Sequence, residues 1–178
     1  MGKARRASVI PLTDEEEAFL RAWARAVLTV PRAFDADLLT EQGMSLSEYR
    51  ALMYLSESPG RRLRMSDLAI SCTLSLSGMT RIVSRLEGQG LVQRERCPSD
   101  GRGYNAVLTG AGLKRLRAAW PTHLASVRRH VIDHVNDLDL PTVTAALQRF
   151  ASGTACAEAR HPHGQPHDHP SRAAHSGG

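Results

Sequence analysis

The spacing of apolar residues changes in the middle of the chain, and this change limits the possible folds more than any other feature. Over residues 66–71 and 76–87 apolar side chains recur three or four positions apart, which predicts two helices joined by a tight turn. Residues 91–96 and 104–109 instead alternate apolar and polar side chains, which predicts two strands joined by a Pro-Ser-Asp-Gly-Arg-Gly turn. Helix, turn, helix and β-hairpin in this order are typical of a winged helix-turn-helix.

Two helices are predicted before this segment. Thr13 and Glu16 have the spacing of a capping box at the start of the first helix, and Pro31 should kink or split that helix. The second helix follows Ser47 and ends at the Pro-Gly pair of residues 59–60.

Two more helices are predicted after the hairpin. Thr109 can cap a long fifth helix whose apolar residues recur from Leu113 to Val135. Asp139 or Thr142 opens a last helix. The predicted fold is therefore mainly α with a small β-hairpin wing: a winged helix-turn-helix lobe with helices on either side of it.

Composition favours an anionic partner, with nucleic acid first. The 178-residue chain has a formal net charge of +5 and a pI near 9.6. No apolar run approaches the roughly 20 residues that span a bilayer, so no membrane partner is expected. Three widely spaced cysteines without a CxxC pair predict reduced thiols and a cytoplasmic location. The sequence has no phosphate loop, GxSxG or HExxH motif. We therefore expect that the protein is not an enzyme and that it binds no cofactor.

The predicted fourth helix carries small and basic side chains outside its apolar face, and Glu87 is its first acid. Because a solvated helix face normally mixes charges, this pattern favours a surface that faces phosphate. Serines at the helix start can donate to phosphate beside free backbone N–H groups, and arginines one turn apart can reach base edges. The candidate DNA-binding residues of this helix are Ser75, Ser77, Gly78, Thr80, Arg81, Ser84 and Arg85.

The hairpin carries Arg94, Arg96 and Arg102, and a basic wing suits a negatively charged groove. Asp100 at its tip is predicted to hold Arg102, or an arginine of the neighbouring helix, in one rotamer. The alternative is that this tip is a plain turn, since Asp-Gly and Arg-Gly are common turn sequences.

Four stretches within residues 46–112 carry a resemblance to known proteins: LSEYRALMYL, MSDLAISCTLSLSGMTRIVSRLEGQGLVQRE, DGR and LTGAG. Through them, residues 46–112 resemble the MarR family of bacterial transcription regulators. The resemblance implies a winged-helix homodimer that binds a pseudo-palindromic DNA operator. It further implies a repressor released by a small anionic or phenolic ligand or by oxidation. Two alternatives stay open: a winged-helix protein-interaction module without DNA binding, and a zinc- or thiol-sensing regulator of the same fold.

The resemblance also implies a domain organisation. Residues 13–154 form one domain, in which 46–109 are the winged helix-turn-helix lobe and 13–45 and 110–154 are dimerisation helices. Residues 1–12 are expected to be a flexible basic arm, and residues 155–178 a disordered, histidine-rich tail.

In the family, effectors lodge between the DNA-binding lobe and the dimerisation helices. Trp23, Arg25, Tyr49 and His123 are the candidates for such a pocket here. The candidates for the dimer interface are Leu20, Trp23, Leu116, Trp120, Leu124, Val131, Leu147 and Phe150.

Histidine and cysteine residues raise two possible sensing chemistries, metal binding and thiol oxidation, beside plainer structural roles. His130 and His134 lie four apart on the predicted fifth helix, which would place both imidazoles on one face as a metal site needs. A metal ion would need a third and a fourth ligand from other parts of the chain, and the positive charges of Arg128 and Arg129 nearby would repel it. No metal site is therefore predicted. Cys72 and Cys97 lie near the expected DNA-binding elements, but inert thiols are the default.

Overall fold

A computed structural model describes the backbone of residues 9–97 and 100–158, and the side chains of residues 9–97 and 103–150. The chain divides into two compact units, with the boundary between His134 and Val135. The first unit contains α1 (Asp14–Gln42), α2 (Leu46–Glu57), a 3₁₀ turn (Pro59–Arg61), β1 (Arg62–Arg64), α3 (Met65–Ser71), α4 (Leu76–Gly88), β2 (Val92–Cys97), β3 (Asp100–Leu108), α5 (Gly110–His130) and a second 3₁₀ turn (Ile132–His134). The second unit contains α6 (Leu140–Glu158). The predicted fold class, mainly α with a small β wing, is confirmed.

The first helix is longer and less interrupted than expected. Thr13 and Glu16 form the predicted capping box, with Thr13 N donating to Glu16 Oε2 at 2.8 Å. The prediction that Pro31 splits the helix was wrong, because α1 continues through it to Gln42. A proline removes one backbone hydrogen bond, and packing of the turns beyond it outweighs that loss. Leu38, which lies two turns further on, is fully buried.

The core of the lobe is apolar and closed within one chain. α2, α3 and α4 contribute the interior faces that their periodicity predicted, and the sheet covers one side through Val92 and Ala106. The fully buried side chains of the three helices include Tyr49, Leu52, Leu55, Leu68, Met79, Val83 and Leu86.

The sheet has a strand that the sequence did not reveal. Its order is β1-β3-β2 with both pairs antiparallel, and Leu63 in β1 pairs with Ala106 in β3. β1 has three residues, too few to show an alternating pattern. In the hairpin Val92 pairs with Leu108, and the register shifts between Arg96 and Cys97.

The fifth helix starts as predicted and ends early. Thr109 Oγ1 accepts from Gly112 N at 3.0 Å, and a Cβ on Gly112 would lie 2.1 Å from the Leu91 carbonyl oxygen, so glycine is required there. The prediction that the helix continues to Val135 was wrong, because α5 ends at His130. The β-branched pair Val131-Ile132 that follows has weaker helix propensity.

The last helix also differs from expectation at its end. α6 begins after Asp139, whose carbonyl accepts from Val143 N at 3.0 Å. It runs to Glu158, so the first four residues of the predicted disordered tail are helical. Residues 159–178 of that tail, and residues 1–8 of the predicted arm, lie outside the described residues. Over the described ranges, no helix combines the length and the apolar content needed to cross a membrane.

Candidate nucleic-acid interface

α4 presents an open, polar face to the outside of the lobe. Ser75 caps the helix by accepting from Gly78 N at 3.1 Å, and Ser75 Oγ lies 3.1 Å from Ser77 Oγ. At about 100° per residue, Ser77 and Arg81 fall opposite the buried residues Met79 and Val83. Arg81 is exposed and makes no hydrogen bond or ion pair with any described side chain. Its charge is therefore available to an outside partner.

Arg85 is already bound within the lobe. Its Nη1 lies 3.2 Å from Glu48 Oε1, and the Glu48 side chain is only 6% exposed. The other oxygen of Glu48 accepts from the backbone N and the hydroxyl of Ser45, at 2.8 and 2.9 Å, in the capping box of α2. Arg85 therefore neutralises a buried carboxylate and ties α4 to the start of α2.

Arg94 is bound within the lobe as well. Its guanidinium donates to the Thr80 carbonyl oxygen at 3.1 Å and to the Ser84 hydroxyl, and its Nε lies 3.4 Å from Glu87 Oε2. Thr80, Ser84 and Glu87 all lie on the flank of α4 that faces β2. Arg94 thus fixes the hairpin against α4, an arrangement that counting charges along the sequence did not reveal.

The outer part of the hairpin is less constrained. Arg96 is exposed and has no partner among the described side chains, and it pairs in register with Tyr104. Asp100 and Arg102 belong to β3, but their side chains lie outside the described residues, so the predicted ion pair at the tip stays a prediction.

Three exposed apolar side chains near α4 were missed by the sequence reading. They are Ile70 on α3, Leu76 at the first position of α4, and Tyr104 on β3. The apolar spacing of α4 does not predict the exposure of Leu76, because position 76 lies three residues before Met79 and seven before Val83, on the same side of the helix as both.

A cavity of about 220 Å³ lies between α1, α2 and α5. Two of the predicted pocket residues, Tyr49 and His123, meet there with ring centroids 4.4 Å apart. Phe34 packs edge-on against His123, and Arg50 also lines the cavity. Neither was predicted. The other two predicted residues, Trp23 and Arg25, do not line this cavity.

Burial favours the uncharged forms of Tyr49 and His123 in this cavity, beside the cationic Arg50. Burial, with a smaller contribution from the charge of Glu57, raises the pKa of Tyr49 to about 12. Burial, reinforced by the positive charge of Arg50, lowers the pKa of His123. The Tyr49 hydroxyl and His123 Nδ1 are buried without a hydrogen-bond partner among the described residues. Such unsatisfied groups suit a ligand that supplies hydrogen bonds.

Apolar side chains of α1 and α5 remain on the outside of the first unit. Leu20, Trp120 and Leu124 are exposed and Trp23 is half-buried, so a second chain could reach all four. Leu116 is a correction to the predicted interface, because it is 8% exposed and packs in the core of its own chain.

The remaining predicted interface residues lie at or beyond the end of α5. Val131 is half-buried and follows the last residue of that helix. In the second unit, α6 exposes Leu147 and Phe150.

The junction of α1 with α5 is polar. Asp37 Oδ2 accepts from Ser126 Oγ at 2.6 Å and lies 3.0 Å from His130 Nε2. The Ser126 hydrogen bond is the main cause of a lowered pKa of Asp37, with His130 and Arg129 contributing in the same direction and burial opposing them.

This geometry corrects the premise of the weak metal-site candidate. His130 and His134 do not share a helix face, because α5 ends at His130 and His134 lies in the 3₁₀ turn. Over the residues that the structure describes, no group of three His, Cys, Asp or Glu side chains is placed to hold a metal ion.

Both described cysteines are buried. Burial raises the pKa of the Cys72 thiol, which disfavours the reactive thiolate. The Cys97 thiol donates to Asn105 Oδ1 at 3.0 Å inside the wing.

Comparison with known proteins agrees with this architecture. A family model described as the MarR family matches residues 42–103. The solved structure of AbsC, a MarR family transcriptional regulator from Streptomyces coelicolor, is 39% identical and has a TM-score of 0.74, with 83% of this chain and 99% of that chain covered. Sco3205, a MarR family transcriptional regulator from the same organism solved in complex with DNA, is 35% identical with a TM-score of 0.76, covering 83% and 92%.

The chain is also similar in sequence to a transcriptional repressor. The HTH-type transcriptional repressor Rv2887 of Mycobacterium tuberculosis is 35% identical over 74 residues, which are 42% of this chain and 52% of that protein. The match thus spans about half the length of the curated relatives. These relatives are transcriptional regulators rather than enzymes.

Proposed function

Since the chain belongs to the MarR family of transcriptional regulators, we propose that it binds duplex DNA sequence-specifically, with α4 in the major groove. The observation that carries this proposal is the open face of α4, where Arg81 makes no hydrogen bond or ion pair with a described side chain and the exposed Ser77 hydroxyl contacts only that of Ser75. The likeness to Sco3205, which was solved with DNA, supports it. The wing then reaches the neighbouring backbone or minor groove through Arg96 and Arg102.

The working form in this proposal is a homodimer. Leu20 on α1 and Trp120 and Leu124 on α5 would stay in water in a single chain, and a two-fold partner would cover them. The exposed Leu147 and Phe150 of α6 supply apolar surface to the same assembly. A dimer places two copies of α4 about one helical turn apart on a pseudo-palindromic operator in the cytoplasm.

We further propose that the protein is a repressor released by a small anionic or phenolic ligand. The cavity at Tyr49 and His123, with its unsatisfied polar atoms and the cationic Arg50, suits one aromatic ring with an acidic or hydroxyl group. At about 220 Å³ it is smaller than the usual ~300–1,000 Å³ ligand pocket. The ligand would shift the protein toward a form that fits DNA poorly, by no more than its difference in affinity for the two forms.

The test is DNA binding by the full chain as a function of salt. Duplexes are selected from a random library, and affinity is measured by fluorescence anisotropy at several salt concentrations. Arg81→Ala should cost about 1–3 kcal/mol, or about 5- to 150-fold in Kd, or else lower the salt slope by about one if Arg81 contacts phosphate. Arg128→Ala is the matched control. It removes the same charge from the last turn of α5, at an exposed position outside α4 and the wing.

The Arg85→Ala variant is a second comparison for Arg81→Ala in the same experiment. Because its guanidinium is bound to Glu48, Arg85→Ala should leave the salt slope unchanged while lowering the stability of the lobe. Wild-type protein that selects no duplex even at low salt would overturn the proposal and favour a winged-helix protein-interaction module.

A further inference from the structure

Leu76 is an exposed apolar side chain at the edge of the polar face of α4. It is the first residue of α4, lies between Ser75 and Ser77, and is 55% exposed. The core of the lobe is complete without it, since Met79, Val83 and Leu86 fill the inner face of the helix. Its exposed carbons are therefore available to an apolar group outside the chain.

Thr80 extends this apolar surface by one helical turn. Its Oγ1 donates to the Leu76 carbonyl oxygen at 2.8 Å, so its only hydroxyl proton is used inside the helix. Residues four apart lie on the same face of a helix, and here both side chains line one cleft. What Thr80 can offer an outside partner is its methyl group and an acceptor oxygen.

The cleft lies between the first turn of α4 and the wing. Its volume is about 290 Å³. The apolar side chains of Met65, Cys97 and Tyr104 line it together with Leu76 and Thr80, and Arg64, Ser66 and Gly103 complete its lining. Among the side chains that the structure describes, none that lines the cleft is acidic. Leu76 therefore lies where the polar face of α4 changes to an apolar flank. A base edge that approaches Ser77 and Arg81 would meet this flank next.

We propose that Leu76, supported by Thr80, recognises the 5-methyl group of a thymine in each half-site of the operator. Thymine is the one DNA base with a methyl group in the major groove, and apolar side chains distinguish it by contact rather than by hydrogen bonding. This inference rests on the proposed DNA binding and adds a specificity-determining residue to it. Arg81 and the serines would then supply affinity, while Leu76 selects thymine at one position.

The test removes single methyl groups from the DNA. In the selected duplex, each thymine is replaced in turn by deoxyuridine, which keeps the base pair and lacks only the methyl. For wild-type protein, one position per half-site should lose about fourfold in affinity, the value expected for withdrawing one apolar carbon from a buried contact. For Leu76→Ala the loss at that position should disappear.

Ile70→Ala is the matched control. Ile70 is the other strongly exposed aliphatic residue near α4, at 76% exposed, but it lies on α3. This variant should keep the wild-type penalty at every deoxyuridine. Circular dichroism and thermal unfolding of both variants check that the loss of an exposed side chain has left the fold intact.

The outcomes separate this inference from the function on which it rests. Salt-dependent binding with no deoxyuridine penalty, or a penalty that Leu76→Ala retains, overturns the thymine contact and leaves DNA binding standing. A selected site without thymine in the half-site overturns it equally. Failure of the wild-type chain to bind any duplex overturns both proposals.

Discussion

The winged lobe and the α1–α5 junction are built in opposite ways. In the lobe, apolar side chains such as Leu52 and Met79 point inward and are fully buried. At the junction, Asp37 of α1 contacts Ser126 and His130 of α5 through polar atoms. Leu124, which also lies on α5, is exposed. The winged lobe buries its apolar core within a single chain, whereas the α1–α5 junction leaves apolar side chains exposed to solvent.

This difference indicates a division of labour. Close packing makes the lobe a rigid body, which a surface that must fit a DNA groove requires. Hydrogen bonds of Asp37 with Ser126 and His130 join α1 to α5, while Leu20, Trp120 and Leu124 of the same two helices stay exposed. The stability of the first region therefore arises within one chain, whereas the exposed apolar side chains of the second would be covered only in the proposed dimer.

The largest expected effect tests the closed core. Leu52→Ala should lower the free energy of unfolding by about 2–5 kcal/mol, because it leaves a cavity among residues that cannot collapse into it. The loss, measured by urea unfolding, should not depend on protein concentration. Leu28→Ala, at an exposed site on α1, should cost less than about 1 kcal/mol in dilute protein. Equal losses of unfolding free energy in Leu52→Ala and Leu28→Ala would contradict the difference between a buried lobe core and an exposed apolar surface on α1.

The next effect tests the open apolar surface. Leu124→Asp should weaken self-association at least tenfold, about 1.4 kcal/mol, because it places a charge where the second chain would pack. Sedimentation velocity over a range of concentrations measures this. Leu76→Asp introduces the same charge on the lobe and should remain dimeric. A Leu124→Asp protein that associates as strongly as wild type would place the interface elsewhere.

The smallest effect tests the polar junction and has a defined pH dependence. Asp37→Asn should cost about 1 kcal/mol of stability at neutral pH. Because the folded-state pKa of Asp37 is lowered, its contribution is fully present above the unfolded value near 3.8 and is lost as pH falls through the lowered value. The wild-type and variant stabilities, measured by thermal unfolding from pH 7 to pH 2, should therefore converge in acid.

Asp67→Asn is the control for this measurement. Asp67 is exposed on α3, and its side chain contacts only the hydroxyl of Ser66 among the described residues. Its replacement should change stability by less than about 0.5 kcal/mol. A wild-type-to-Asp37→Asn gap that persists unchanged to pH 2 would show that the Asp37 charge is not what stabilises the junction.

Local sequence signals predicted the elements of the lobe well. Ser75 marks the start of α4 because a serine side chain can satisfy a free backbone N–H, and the spacing of Met79, Val83 and Leu86 marks its buried face. Strand β1 was missed, since three residues carry no period. The end of α5 was misplaced, because the apolar spacing continues to Val135 although the helix does not.

The sequence by itself determined the order of the elements, the closed apolar core and the basic character of α4, because capping and periodicity act over a few neighbouring residues. Only the tertiary structure decided which arginines are free. Arg81 remains open, whereas Arg85 is bound by Glu48 from α2, 37 residues away, and Arg94 by the flank of α4. Charge is a property of composition, but its availability depends on partners that folding brings together from distant parts of the chain.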